Sequence, residues 1–346
     1  MHEPRAFDTT FVTTAKIAIA VPVRNEAERL PRLLDALARQ IGAPPFTLAL
    51  LFDNCDDDSH ATVQHLAPTL PFPIVTQCET AGGPPNAGLA RARAMAMALS
   101  IAPDGVLMTT DADSQPAPDW VAANLSALAR ADVVAGRIVR HPGRAAPLQA
   151  RLEAYYDRLH ALRRRLDPVT WEAADTHHWT SAASLAMTSH VYRTAGGFPP
   201  LVHGEDAALA DAAARLGLSL RRDARAHVAT SARRNGRVSG GFAAQLAAFD
   251  RTDHAPAVFH PEDEAWRYTL HAEARHGHGR DGYDRLATSL RLPLAEVSAV
   301  AAECANGEAF AARIVGAPPG GMRAVTLSHA ERLIAGLEQV RLEGAA

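Results

Sequence analysis

Between residues 16 and 139, short apolar runs rich in β-branched residues alternate with runs whose apolar residues recur at helical spacing. This alternation limits the fold more than any other feature. KIAIAVPV (16–23), TLALLF (47–52) and residues 73–77, 106–110 and 132–139 read as strands. Between them, residues 26–40 place Leu30, Leu33, Leu34 and Leu37 on one helical face, residues 61–66 are weakly helical, and residues 86–99 and 118–130 read as helices. Continuous apolar strands are buried on both faces, and helical connections join parallel neighbours. The expectation is therefore an α/β chain with a mostly parallel, Rossmann-like sheet sandwiched by helices. Such sheets bind ligands beyond the carboxyl ends of their strands. Three polar clusters fall at such ends: Arg24-Asn25-Glu26, Asp53-Asn54 and Asp111-Ala112-Asp113.

After residue 140 the pattern loosens. Residues 148–166 read as a helix ending in Arg163-Arg164-Arg165, and THHWT (176–180) as an irregular polar segment. A strand is expected to begin at 184–186, a helix with acids in its first turn at 204–216, and short strands at 218–222 and 226–231. From about residue 250 the chain is polar and mainly helical, with His271, His276 and His278 expected in a loop beside Gly277 and Gly279.

Bulk properties exclude several functions. The net charge of −3 gives no general attraction to nucleic acid. Three widely spaced cysteines, without C-x-x-C, indicate neither a disulfide framework nor a thiolate zinc site. The polar first residues lack a signal-peptide core, and no window holds about 18 uninterrupted apolar residues, so a cytoplasmic protein without a membrane span is expected.

Asp111 and Asp113 carry the clearest chemistry. Two carboxylates at i and i+2 of an extended segment point to one side. Mg²⁺ usually takes one or two carboxylates together with substrate phosphates, so D-x-D at a strand end suits a metal-bound diphosphate. The plainer alternative is a solvated turn, since Asp starts turns and Pro116 and Pro118 follow directly. Similarly, Glu26, Glu205 and Asp206 suit helix N-termini without any further role.

The order of motifs resembles the family 2 glycosyltransferases, which have the GT-A fold of the nucleotide-diphospho-sugar transferase superfamily. IAIAVPVRNEAERLPRLLDALARQ (17–40) is similar to that family's first strand, turn and helix, and LLFDNCDDDS (50–59) to its second strand end. GGPPNAGLARARAMAMAL (82–99), MTTDADSQPAPDW (108–120) and AGGFPPLVHGEDAALADAAARLG (195–217) resemble its Gly-rich turn and helix, its D-x-D segment and its Glu-Asp helix start. The resemblance covers about residues 16–240. It implies a nucleotide-binding half at about 16–140 and an acceptor half at about 141–250. A flexible N-terminus (1–15) and a helical region (251–346) of unknown role would flank them.

What the resemblance implies for the site is specific. Pro22, Arg24 and Glu26 would lie along the nucleoside, Glu26 near the ribose, and Asp53 would accept a uracil N–H. Arg91 would reach the diphosphate. Asp111, Ala112 and Asp113 would contact the donor and a Mn²⁺ or Mg²⁺ ion, Asp113 most directly, with His227 as a further metal ligand. Arg233, Arg234 and Arg237 would form a loop over the diphosphate. Asp206 would be the general base of an inverting transfer, with Glu205 orienting the acceptor.

The expected donor is a nucleotide sugar, UDP-linked first. The acceptor is open among saccharides, lipid-linked molecules and small molecules. A homodimer and peripheral contact with the inner membrane face are also left open. Rival readings are a retaining GT-A enzyme, a D-x-D phosphatase and a non-catalytic sugar-nucleotide-binding partner. An EF-hand loop at DNCDDDS is excluded by Cys55 and Asp58, and no G-x-x-x-x-G-K-S/T phosphate loop is present.

Overall fold

The structure, a computed structural model, describes residues 15–80, 82, 84–140, 147–231, 256–280 and 282–339. The N-terminal segment expected to be flexible lies outside them, apart from residue 15. The chain divides into two compact units. The first draws on residues 1–144, 171–212 and 219–244, and the second on 145–170, 213–218 and 245–346.

The first unit is built on one eight-stranded sheet. Its strands are β1 (Ile17–Val23), β2 (Phe46–Asp53), β3 (Ile74–Glu79), β4 (Val106–Thr109), β5 (Gln115–Pro116), β6 (Val133–Arg140), β7 (Leu185–Thr188) and β8 (Leu220–Thr230), in the order β3-β2-β1-β4-β7-β6-β8-β5. β3, β2, β1 and β4 pair in parallel, as do β6 and β8, whereas β7 and β5 run against their neighbours. The sheet is thus mainly parallel, with helices flanking it.

The two faces of β1 explain the helices that cover it. Ile17, Ile19, Val21 and Val23 join one core with Leu30, Leu33, Leu34 and Leu37 of α1 (Leu30–Ala38) and with Trp120 and Val121 of a later helix. The alternate residues Ala18 and Ala20, with Ala49 of β2, are small and fully buried. They let α3 (Ala87–Ile101), itself Ala-rich, lie close against β1 and β2. The remaining helices of this unit are α2 (Ser59–Leu66), α4 (Trp120–Leu128), α6 (Ser189–Thr194) and most of α7 (Glu205–Arg215).

Two expectations for this unit need correction. Residues 218–222 and 226–231 are parts of one strand, β8, not two. Arg221 and Asp223 lie on one side of it and pair at 2.9 Å, so these charges are neutralised inside the strand. Its partner β6 shifts register between Gly136 and Ile138, where a Cβ on Gly136 would lie 1.6 Å from the Ala226 carbonyl oxygen. Second, β4 ends at Thr109, so Asp111 and Asp113 lie in a turn beyond it and are not alternate residues of an extended strand.

The second unit is mainly helical. It contains α5 (Pro147–Leu166), α8 (Pro261–Gly277), α9 (Asp284–Leu290), α10 (Leu294–Glu303), α11 (Gly307–Ile314) and α12 (Leu327–Gln339). An antiparallel pair, β9 (Ala257–Phe259) and β10 (Ala324–Thr326), joins them. Leu152, Tyr155, Leu159 and Leu162 of α5 pack with Val258, Leu327 and Ile334, and Phe310 centres a second cluster with Leu270 and Val297. His271 and His276 are on α8, not in the expected loop.

Burial, helped by Arg275, Arg267 and Arg163, holds the His271 imidazole down to about 4 from 6.5. The folded state therefore keeps His271 neutral where the unfolded chain protonates it. Its stabilising effect is complete above pH 6.5 and is lost as pH falls towards about 4. His271→Gln is expected to flatten this part of a plot of melting temperature against pH, as measured by circular dichroism.

Candidate active site

The carboxyl ends of β1, β2 and β4 and the first turns of α3 and α7 surround a cavity of about 340 Å³ within the first unit. Pro22, Arg24, Glu26, Asp53, Arg91, Asp111, Ala112, Asp113, Glu205 and Asp206 all line it. Sequence segments as distant as residues 22 and 206 thus meet at one rim, as the strand ends of a mainly parallel sheet allow.

The first two strand ends interlock. Asn25 and Asn54 both adopt left-handed backbone conformations, with φ of 52° and 50°. Asn is among the few residues that tolerate this. Asp56 N–H donates to Asn25 Oδ1 at 2.9 Å, and Glu26 N–H donates to Ser59 Oγ at 2.8 Å. Asn54 gives its amide to Asp53 Oδ1 at 2.9 Å and accepts from Gly82 N–H at 2.9 Å. Arg24 reaches Asp53 Oδ2 at 3.4 Å. Glu26 is almost fully buried and takes Arg29 Nη1 at 3.3 Å.

α3 begins at Asn86, whose side chain caps Leu89 N–H at 2.8 Å and donates to the Pro200 carbonyl at 3.0 Å. One and a half turns on, Arg91 is buried and Arg93 is not; the two-residue offset puts them on different faces. Arg93 faces Glu79 at 3.7 Å. Arg91 Nη1 donates to Thr109 Oγ1 at 2.8 Å, Thr110 O at 3.3 Å and Ala182 O at 3.4 Å; Nη2 pairs with Asp111, and Nε stands 3.7 Å from Glu205 Oε1. Burial works against the Arg91 charge, but Asp111 and Glu205 more than offset it.

The two acids of D-x-D therefore face different partners. Asp111 meets Arg91. Asp113 accepts from Ser231 Oγ at 2.9 Å and from Thr230 Oγ1 at 3.5 Å. Sequence reasoning missed these hydroxyls, which reach the site only because β8 ends there.

At the start of α7, Asp206 Oδ2 accepts Ala182 N–H at 3.2 Å and Oδ1 accepts Ala207 N–H at 2.8 Å. Glu205 is buried, and burial pushes its carboxyl up while Arg91 pulls it back.

His227 is not among the residues lining the cavity; its carbonyl takes the Ala117 N–H at 3.1 Å. Arg233, Arg234 and Arg237 lie outside the described residues. Among those described, no group of three or more His, Cys, Asp or Glu side chains is placed to hold a metal. Asp111 and Asp113 offer hard oxygen donors but too few to fill a shell. That donor set fits an ion that completes its coordination with phosphate and water.

The sequence profile described as glycosyl transferase family 2 matches residues 18–184, just under half of the chain. Those residues belong to glycosyl transferase family 2. The matched family 2 segment carries Pro22, Arg24, Glu26, Asp53, Arg91, Asp111 and Asp113, whereas Glu205, Asp206, Thr230 and Ser231 lie beyond it.

No curated protein matches the chain in sequence. Solved family 2-like structures similar to it include residues 1–349 of TarS from S. aureus in complex with UDP-GlcNAc, at 17% identity and a TM-score of 0.47 over 82% of this chain and 79% of that one. The mannosyltransferase PcManGT from Pyrobaculum calidifontis, in complex with GDP-Man and Mn²⁺, is 21% identical with a TM-score of 0.48 over 85% and 77%. Glucosyl-3-phosphoglycerate synthase from Mycobacterium tuberculosis, in complex with Mn²⁺, UDP and phosphoglyceric acid, is 18% identical with a TM-score of 0.45 over 72% and 84%. Among the described residues, no helix is long and apolar enough to cross a membrane.

Proposed function

We propose that this chain is a metal-dependent glycosyltransferase that moves a sugar from a nucleotide-diphosphate sugar, UDP-linked first, to an acceptor hydroxyl with inversion. The observation that carries the reading is the meeting of Asp53, the Asp111–Asp113 turn and the Glu205–Asp206 helix start in one cavity. Those groups supply what such a transfer needs. Asp53 and the buried Glu26 offer acceptors for nucleoside N–H and hydroxyl groups. Asp113, set by Ser231 and Thr230, and Asp111 would hold Mn²⁺ or Mg²⁺. When bound, the ion neutralises charge that develops on the departing diphosphate.

Asp206 is fixed by two backbone N–H groups yet still lines the cavity. It takes the proton of the acceptor hydroxyl as that oxygen attacks the anomeric carbon and the nucleoside diphosphate leaves. A single displacement of this kind inverts the anomeric configuration. Glu205, held towards Arg91, shapes the acceptor side.

Calorimetric titration with UDP- and GDP-sugars, each with Mn²⁺ and with chelator, tests this. One donor is expected to bind, more tightly with Mn²⁺ than with chelator. Transfer followed by NMR of the anomeric proton should then show inversion. A folded protein that binds none of the donors would refute the proposal.

A further inference from the structure

We infer that Arg91 is a positioning residue that sets the metal-side carboxylate Asp111 and the base Asp206 relative to one another, and does not bind the diphosphate itself. The inference rests on the functional reading above for the roles of those two acids. Its geometry stands apart from that reading.

The guanidinium sits where three parts of the chain converge. Nη2 holds Asp111, in the turn after β4. Nη1 holds Thr109 Oγ1 and Thr110 O at the end of β4 and Ala182 O in the short turn before β7. Nε faces Glu205 at the start of α7. Ala182 extends the chain of contacts, since its carbonyl accepts from Arg91 while its N–H donates to Asp206 Oδ2 at 3.2 Å. Arg91 therefore fixes Asp111 directly and Asp206 through one residue, Ala182.

Both Nη atoms already donate to protein oxygens before any phosphate arrives, and Nε, which has no hydrogen-bond partner among the described residues, is buried. α3 cannot easily carry it elsewhere, because Gly88 on the same helix touches the 199–201 segment; a Cβ there would lie 2.3 Å from the Pro199 carbonyl oxygen. Only a planar, five-donor group reaches all these partners. A lysine ammonium is a point charge with three donors and cannot span them.

The test compares Arg91→Lys and Arg91→Ala with wild type in three measurements. These are melting temperature, affinity for UDP and GDP in the presence of chelator, and kcat with the donor that wild type accepts. The expected result is unchanged chelator-phase affinity with a kcat lower by about 100-fold, the size of effect that a displacement near 1 Å produces. In Arg91→Ala, added methylguanidinium should restore part of kcat, because Arg91 lines the open cavity.

Should Arg91→Ala fail to fold, Arg91→Lys carries the comparison. Wild-type kcat in Arg91→Lys overturns the inference. So does a loss of nucleotide affinity that accounts for the loss of kcat, since that marks direct phosphate contact. Wild type that binds neither UDP nor GDP overturns the functional reading and this inference with it, whereas active wild type with an unaffected Arg91→Lys overturns the inference alone.

Discussion

Asp113→Asn is expected to lower turnover by roughly 10²- to 10³-fold, the scale seen when a charge-stabilising group is removed from a transition state. The reason lies in the unequal surroundings of the two acids. Asp111 already pairs with Arg91, which reduces what it offers to a cation. Asp113 accepts from the hydroxyls of Ser231 and Thr230, and these orient a carboxylate without neutralising it. Asparagine keeps the volume and one acceptor oxygen but removes the charge that a divalent ion requires. Donor titration with Mn²⁺ should therefore lose its metal dependence, while binding in chelator stays at the wild-type level. Turnover equal to wild type would sink the role assigned to Asp113.

Asp206→Asn should behave differently, and the contrast between the two variants is the sharper result. The Asn carbonyl oxygen can still accept the Ala182 N–H that Asp206 Oδ2 now accepts, at the cost of the Ala207 N–H bond to Oδ1. What disappears is basicity. Positioned proton transfer contributes about 10²- to 10⁴-fold, and kcat should fall within that range while metal-dependent donor affinity is preserved. Single-turnover kinetics with saturating donor separates the two quantities. Loss of donor binding with kcat would refute the base assignment and move Asp206 to the donor side.

The parts of this fold that were legible in the sequence are those where one local pattern has one meaning. β1, β2 and β4 are buried on both faces and read as unbroken apolar runs; the Leu face of α1 repeats at helical spacing. Direction is not written in such runs. β7 is only four residues long, LAMT, and nothing in it marks that it runs against β4 and β6. β8 reads in the sequence as two short strands, and nothing local marks that Arg221 and Asp223 pair with each other within one.

The site divides in the same way. Acids at strand and helix ends could be picked out one by one, because each sits at a local boundary. Ser231 and Thr230 could not, since their link to Asp113 spans more than a hundred residues. Arg91 could be singled out by its place on α3, but its partners could not; helix position predicts which face an arginine takes, not which oxygens wait there.

The reversed strand β7 also has a consequence for how the chain is made. β6 pairs only with β7 and β8, and β4 has β7 as its outer neighbour. While the ribosome is still adding residues 141–184, β6 has no partner strand and β4 presents an open edge. At translation speeds of about 5–20 residues per second, that interval lasts several seconds. An open, apolar edge is a template for pairing with another nascent chain. The four residues of β7 therefore do more than fill a gap in a finished sheet: their arrival closes the β4 edge and gives β6 its first partner, leaving the far edge of β6 for β8.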